Sequence, residues 1–311
     1  MIRKIKVFFI ILVIISVKLY SEGLTGADVL LIQPSASSTA LGEGGTGRFS
    51  GLDSVGINPA GLCSVSMRRI LFSHIEWLSD LKYDSIFYSQ PLLKGGFFAS
   101  FSYFNQPDFD NFNLDGLKEG TLNASDFLFQ SGYGYMWGKL AAGTILKIIN
   151  RNLSKYSSLS FALDFGMLLK TRFIKLYKNY EDNNLSLGVS FQNFGTGVKF
   201  VNKSFPLPLT LRGGVNYKIF QNEKHSLDIL SDFKVLPMDK ITGFSGGLEY
   251  GFKNKGFIRF GFSSSVNTPT RFYFGLGGRH LYRKALLGLD ITVFPDPIFG
   301  TNWIWNMGVE F

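Results

Sequence analysis

Thr301-Asn302-Trp303-Ile304-Trp305-Asn306-Met307-Gly308-Val309-Glu310-Phe311 alternates in a way that decides how the rest of the chain is read. Successive side chains of a strand point to opposite faces. Here Trp303, Trp305, Met307, Val309 and Phe311 share one face, and Asn302, Asn306, Gly308 and Glu310 share the other. The period of two recurs upstream. Leu287, Leu289, Ile291 and Val293 oppose Gly288, Asp290 and Thr292, and Ile258, Phe260 and Phe262 oppose Arg259, Gly261 and Ser263. Leu159, Phe161, Leu163, Phe165 and Met167 oppose Ser160, Asp164 and Gly166. Each segment is a strand with one greasy face and one wet face.

Such strands build either a soluble sandwich or a membrane barrel, and four features favour the barrel. Many strands reach ten residues or more, which suits a tilted spanning strand of ~9–11 residues better than a globular one of ~5–6. The wet face carries small residues and charges of both signs, as a filled or hydrated lumen would. Tyr and Trp gather near strand ends (Trp77, Tyr83, Trp137, Tyr217, Tyr250, Tyr273, Trp303), as in an aromatic girdle. The last strand ends on Phe311, which together with Trp303 and Trp305 is similar to the terminal signal read by bacterial barrel-assembly machinery. Composition agrees. The 311 residues include 35 Gly and 32 Phe, and charged residues are only 18%. That charge is too sparse for a disordered or nucleic-acid-coating chain, and a single cysteine excludes a disulfide framework.

Turn signals divide the chain into fourteen strands near 67–77, 81–92, 95–106, 125–138, 139–151, 157–171, 184–194, 207–220, 225–236, 240–253, 255–266, 270–280, 285–294 and 301–311. The expected fold is an all-β, transmembrane antiparallel barrel over residues 67–311. An even count puts both barrel ends on the periplasmic side, with short turns there, apart from the basic stretch 172–183. The long connections Pro107–Ala124, Gly195–Pro208 and Pro295–Gly300 then face outward.

Residues 1–21 are expected to be a signal peptide. A basic start (Arg3, Lys4, Lys6) leads into the apolar run Val7–Val17, which is too short for a membrane helix of ~20 residues. Its removal takes away four cations and no acid, so the formal charge falls from +9 to +5. Residues 22–66 break the strand rhythm and are rich in Gly and Ser. A fourteen-stranded barrel leaves room for a plug, and this segment is the expected one.

Three runs within it carry a resemblance: Gln33-Pro34-Ser35-Ala36, Ala40-Leu41-Gly42-Glu43-Gly44-Gly45-Thr46 and Asn58-Pro59-Ala60-Gly61-Leu62. They are followed by His74-Ile75-Glu76-Trp77 and Asp80-Leu81-Lys82-Tyr83-Asp84. Together these runs resemble the N-terminal signature of the PorV/PorQ family, a branch of the FadL-type outer-membrane proteins. Ser37, Glu43 and Thr46 depart from the family's usual Arg, Met and Ala. The resemblance implies an N-terminal hatch inside the barrel and passive movement of hydrophobic molecules such as long-chain fatty acids. It also implies a lateral opening near Asn58, Pro59, Ala60 and Gly61. Pro59 fixes φ and Asn58 can bond local backbone, so the motif suits a rigid turn whatever its role. Leu30, Leu31 and Ile32 are the expected lining of the hydrophobic pathway.

A second implied role is that of an interaction protein, which binds a secreted protein domain in a type IX-like pathway. It predicts apolar residues exposed on the outer loops (Phe109, Phe112, Leu114, Leu117; Val198, Phe200, Val201). The expected partners are outer-membrane lipid, a hydrophobic ligand and the assembly machinery, with no nucleic acid, cofactor or metal.

No catalytic residues are proposed, and an enzyme is not expected. Gly42-Glu43-Gly44-Gly45-Thr46-Gly47 satisfies G-x-G-x-x-G, but no strand leads into it and no helix follows. His74, His225 and His280 are too far apart in sequence for a metal motif. Cys63 is expected at a plug–strand contact. The lumen charges Asp164, Arg212, Asp228, Asp232, Lys234, Glu249, Arg259 and Asp290 are expected to form ion pairs that hold barrel and plug.

Overall fold

Apolar and polar residues alternate over most of the chain, and the backbone satisfies its hydrogen bonds by closing one antiparallel sheet on itself. The computed structural model describes residues 24–77, 81–173, 183–266, 268–296 and 300–311. The segment 1–21, most of the basic stretch 172–183 and the side chain of Trp77 lie outside the described residues. Seven strands come first: β1 (Arg69–Trp77), β2 (Leu81–Leu92), β3 (Gly95–Phe112), β4 (Lys118–Trp137), β5 (Leu140–Leu153), β6 (Tyr156–Thr171) and β7 (Leu185–Gly195). A small hairpin, β8 (Val198–Phe200) and β9 (Lys203–Phe205), interrupts them. Seven more follow: β10 (Thr210–Gln221), β11 (His225–Leu236), β12 (Ile241–Phe252), β13 (Gly256–Ser265), β14 (Thr268–Tyr282), β15 (Ala285–Asp296) and β16 (Gly300–Glu310). Each barrel strand pairs with its sequence neighbour, β7 pairs with β10, and β1 closes on β16 through Arg69↔Glu310 to Glu76↔Trp303. The fourteen expected strands are the fourteen of the closed barrel.

Alternation sorts the wall as expected. On β6, Leu159, Phe161, Phe165 and Met167 lie outside and exposed, whereas Ser160 and Asp164 are buried inside. On β16, Trp303 and Met307 face out while Asn302 and Asn306 face in. Trp305 leans on Phe72 and His74, with ring centroids 5.4 and 5.3 Å away. Exposed Phe311 donates its amide to the Arg68 carbonyl at 2.9 Å. A greasy exterior around a polar interior is the inverse of a soluble sandwich.

Three expectations need correction. Tyr83 and Tyr273 belong to no outer girdle: both are 1% exposed and point into the lumen. Their parity places them opposite the outward Ile86 and Phe272, so proximity to a strand end is outweighed by the period of two. Pro107–Ala124 is not an irregular loop. β3 and β4 continue past the rim as a two-stranded ribbon, roughly 20 Å long at ~3.3 Å per residue, with Phe109↔Leu122 and Asp110↔Thr121 in register. It turns at Asn113, whose side chain accepts the amides of Asp115 and Leu117. Lastly, Val198 and Phe200 do not project outward; the β8–β9 hairpin folds inward over the barrel mouth, burying Val198.

Residues 24–66 fill the lumen. They form short turns, Asp28–Leu31, Ala36–Thr39, Gly51–Ser54 and Pro59–Ser64, linked by extended backbone. Near the mouth opposite the β1 and β16 termini, an apolar cluster joins plug residues Ala27, Val29, Leu30 and Ala36 to Ile75, Tyr83, Ile149 and Phe294 of the wall. Nearer the terminal rim, two smaller apolar clusters (Leu52, Val55 and Leu62 with Leu71, Phe87, Phe98 and Ile145; Ala60 with Ala141 and Leu168) are interspersed with polar and ionic contacts.

Candidate functional site

The plug is seated by the wall rather than by itself, since turns of four to six residues cannot satisfy their own backbone groups. Asp232 on β11 accepts three hydrogen bonds on one oxygen: Gly45 N at 2.9 Å, Thr46 N at 2.8 Å and Thr46 Oγ1 at 2.6 Å. The Gly42–Gly47 run is therefore a buried turn packed on the wall. Ser186 donates to the Gly47 carbonyl at 2.6 Å, and Ser190 and Gln192 donate to that of Ile57 at 2.6 and 2.9 Å. On the far wall, Ser73 and Asn306 donate to the Pro34 carbonyl, and Thr292 donates to that of Ala36.

Ion pairs add to these contacts. Arg259 bridges Glu249 (2.6 Å) and Asp290 (2.7 Å), Arg279 joins Asp290 at 2.6 Å, and plug residue Arg48 pairs with Glu249. Lys147 and Asp164 pair at 2.8 Å, nearly fully buried. Asp53 in the plug lies 3.8 Å from Arg69. Burial alone would raise its carboxyl, but Arg69, Arg279 and the Ser35 hydroxyl outweigh that and hold it below the usual range. Of these, Arg48–Glu249 and Asp53–Arg69 join plug to wall, whereas the Arg259, Arg279 and Lys147 pairs tie wall strands to one another.

Close approach of the two backbones is made possible by glycines on the inner wall. A Cβ at Gly143 would lie 2.3 Å from the Pro59 oxygen, one at Gly166 1.9 Å from Asn58 Oδ1, and one at Gly188 1.9 Å from the Thr46 oxygen. Gly96, Gly134, Gly143 and Gly166 follow one another across β3 to β6 through directly paired positions. Gly188 pairs with Gly214 further round. The result is a belt without side chains that receives the plug. The sequence shows these small residues on the wet face, but their alignment around the barrel depends on register.

The Asn58–Gly61 motif sits on this belt and is buried. Asn58 caps the Pro59–Ser64 turn by accepting the Ala60 amide at 3.1 Å, and its Nδ2 donates to the carbonyls of Thr46 (2.7 Å) and Met167 (3.1 Å). The β5–β6 ladder beside it is unbroken. The nearby irregularity is on the β6–β7 seam, between Leu163 and Phe165, where Asp164 accepts the Asn193 amide at 2.8 Å. Leu30 is buried in the apolar cluster, Ile32 packs against it, and Leu31 is partly exposed.

Above that cluster, a cavity of about 320 Å³ opens between plug, wall and inturned hairpin. Thr25, Gly26, Arg151, Val198, Phe200 and Phe205 are among its lining residues. A smaller polar cavity of about 130 Å³ lies on the β12–β14 side, where Arg212, Lys234 and Arg271 surround Glu43 beside Ser263 and Tyr273. The Tyr273 ring belongs to the apolar cluster while its hydroxyl meets Ser263 Oγ at 2.8 Å, so the two environments share this residue.

His74 bonds Asp84 across the β1–β2 pair at 2.6 Å on the outer face and does not reach the plug. Among the described residues, no three His, Cys, Asp or Glu side chains gather as a metal site. Cys63 packs beside Ala60, Ala141, Leu168 and Met136 at the plug–wall contact. Burial pushes its thiol up to about 11, against the opposing pull of Lys170. A raised pKa keeps the thiol neutral until well above pH 8.5, where an ordinary cysteine ionises. Maleimide labelling of folded protein at pH 7.5 is therefore expected to be far slower than in denaturant. Equal rates would show that the Pro59–Ser64 turn is not packed as described.

The fold is a closed fourteen-stranded barrel with its N-terminal segment inside, and solved structures share it. The Pseudomonas putida toluene transporter TodX is 11% identical, with 89% of this chain and 96% of that one covered at a TM-score of 0.57. The Ralstonia pickettii toluene transporter TbuX is 12% identical, with 93% and 98% covered at a TM-score of 0.59. The CymD monoaromatic hydrocarbon channel is 9% identical, with 90% and 97% covered at 0.56. At these identities the likeness is one of fold. No family model matches. Attacin-A of Trichoplusia ni is 24% identical over 138 residues, 40% of this chain, and the chain spans about half the length of that relative.

Proposed function

We propose that this protein is an outer-membrane channel of the PorV/PorQ branch of FadL-type barrels, which moves hydrophobic molecules passively. The single observation that carries the reading is the 320 Å³ cavity above the apolar cluster of Val29 and Leu30, lined in part by Val198, Phe200 and Phe205. An apolar solute entering there leaves water. Arg151 also lines the cavity, which puts a cation beside a solute's carboxylate and favours fatty acids over plain hydrocarbons. In this reading Asn58–Gly61 braces the wall, and the β6–β7 seam beside it is where the solute leaves sideways. Trp303, Trp305 and Phe311 serve assembly.

Binding of a fluorescent long-chain fatty acid to detergent-purified protein tests this. Saturable binding is expected, weakened roughly ten-fold or more by Phe200→Asp, which sets a charge beside Val198 and Phe205 on the apolar side of the mouth. Absence of saturable binding to the wild type would sink the reading.

The second reading, docking of a secreted protein domain, has its own observation. Phe109, Phe112, Leu114 and Leu117 are all exposed on the projecting β3–β4 ribbon.

A further inference from the structure

The membrane-facing wall carries an indentation that the channel does not use. It spans β14, β15, β16 and β1 near the terminal rim and has a volume of about 640 Å³, within the ~300–1,000 Å³ of typical ligand pockets. Register explains its shape. Gly278, Leu289, Met307 and Phe72 follow one another across the four strands, and His280, Leu287, Val309 and Ile70 form the adjacent row. Both rows face outward. Gly278 also pairs with Gly256 on β13, and a Cβ at either glycine would have nothing within 4 Å. Two bare positions side by side thus interrupt a wall otherwise covered by large apolar side chains.

Lys255, Arg279 and His280 line this indentation, and among the described residues no acidic side chain does. The Arg279 guanidinium is engaged with Asp290 at 2.6 Å, which leaves exposed Lys255 and His280 at the end where the strands meet the rim. An apolar trough running to the Lys255 ammonium and the His280 imidazole has the chemistry of one ligand class: an acyl chain with an anionic phosphate head. With both barrel ends in the periplasm, this rim lies at the headgroups of the inner leaflet.

We propose that this groove is a specific site for an anionic phospholipid of the inner leaflet. Its chain lies along Gly278, Leu289, Met307 and Phe72, and its phosphate sits at Lys255 and His280. The site is separate from the lumen, so it stands or falls independently of what the channel carries.

Native mass spectrometry of the full chain, with phosphatidylglycerol or phosphatidylethanolamine added, tests this. The wild type is expected to retain phosphatidylglycerol through detergent removal and phosphatidylethanolamine much less. Gly278→Leu, which fills the trough without a clash, is expected to retain roughly ten-fold less phosphatidylglycerol. So is the double variant Lys255→Glu, His280→Glu. Gly213→Leu, on the outer face of β10 with equally open space, is expected to behave as wild type. Equal retention of the two lipids by the wild type would overturn the proposal, and that comparison needs no variant to fold. Equal retention by Gly278→Leu and Gly213→Leu would overturn it as well.

Discussion

Gly143→Val is expected to unseat the plug and make the barrel leak. The new Cβ would stand 2.3 Å from the Pro59 oxygen, 2.4 Å from its carbonyl carbon and 2.7 Å from Ala60 N. Carbon atoms need about 3.5–4.0 Å, and every atom in the way is backbone. Neither side can yield by turning a rotamer. The wall strand is held on both edges by β4 and β6, so the Asn58–Gly61 turn must move instead. An overpacked core costs ~1–3 kcal/mol where side chains can adjust, and more here. Moving that turn also breaks the Asn58 contacts to Thr46 and Met167. Liposome swelling with a small sugar should rise toward the level given by a chain lacking residues 24–62, because an empty barrel of this strand number is wide. Gly213→Val should swell liposomes no faster than wild type. A folded, heat-modifiable Gly143→Val barrel with wild-type permeability would refute the belt as the plug's seat.

Asp232→Ala attacks the same assembly from its polar side. Three donors converge on one carboxylate oxygen at 2.6 to 2.9 Å. Hydrogen bonds to a charged partner are worth ~1.5–3 kcal/mol each, and buried donors left without an acceptor add their desolvation cost. Losses of this kind are not additive, so a total of roughly 3–5 kcal/mol is expected, close to that of removing one member of a buried ion pair. The amides of Gly45 and Thr46 should lose hydrogen-exchange protection by two orders of magnitude or more. Asp232→Asn keeps one acceptor and should fall between the two. Wild-type protection at these amides in Asp232→Ala would mean that the plug is held elsewhere.

The wall and the lumen differ in how far they could be read in advance. A strand's two faces are a local matter, so Trp303 against Asn302 or Phe165 against Asp164 assigns outside and inside from the residues alone. The positions of the fourteen strands follow for the same reason, as does the plug span, where alternation stops. The site is a different case. Leu30 was legible as an apolar residue of the N-terminal segment because three apolar residues in a row stand out in a stretch rich in Gly and Ser. Its company of Tyr83, Ile149 and Phe294 was not legible, since those residues come from separate strands. Val198 and Phe200 read as outward loop residues because nothing in a two-turn hairpin specifies which way it folds. Burial against Leu30 and Gly26 decides that.

Residue chemistry by itself determined a greasy exterior, a polar interior and a Gly-rich filler, because the period of two and the loss of that period are properties of neighbouring residues. Tertiary structure alone decided which glycines line up as a belt, which of eight lumen charges holds the plug, and where the outer wall is dented. Each of those depends on register between strands far apart in the chain. A one-residue slip would send Gly143 or Asp232 to the opposite face and leave the local pattern unchanged.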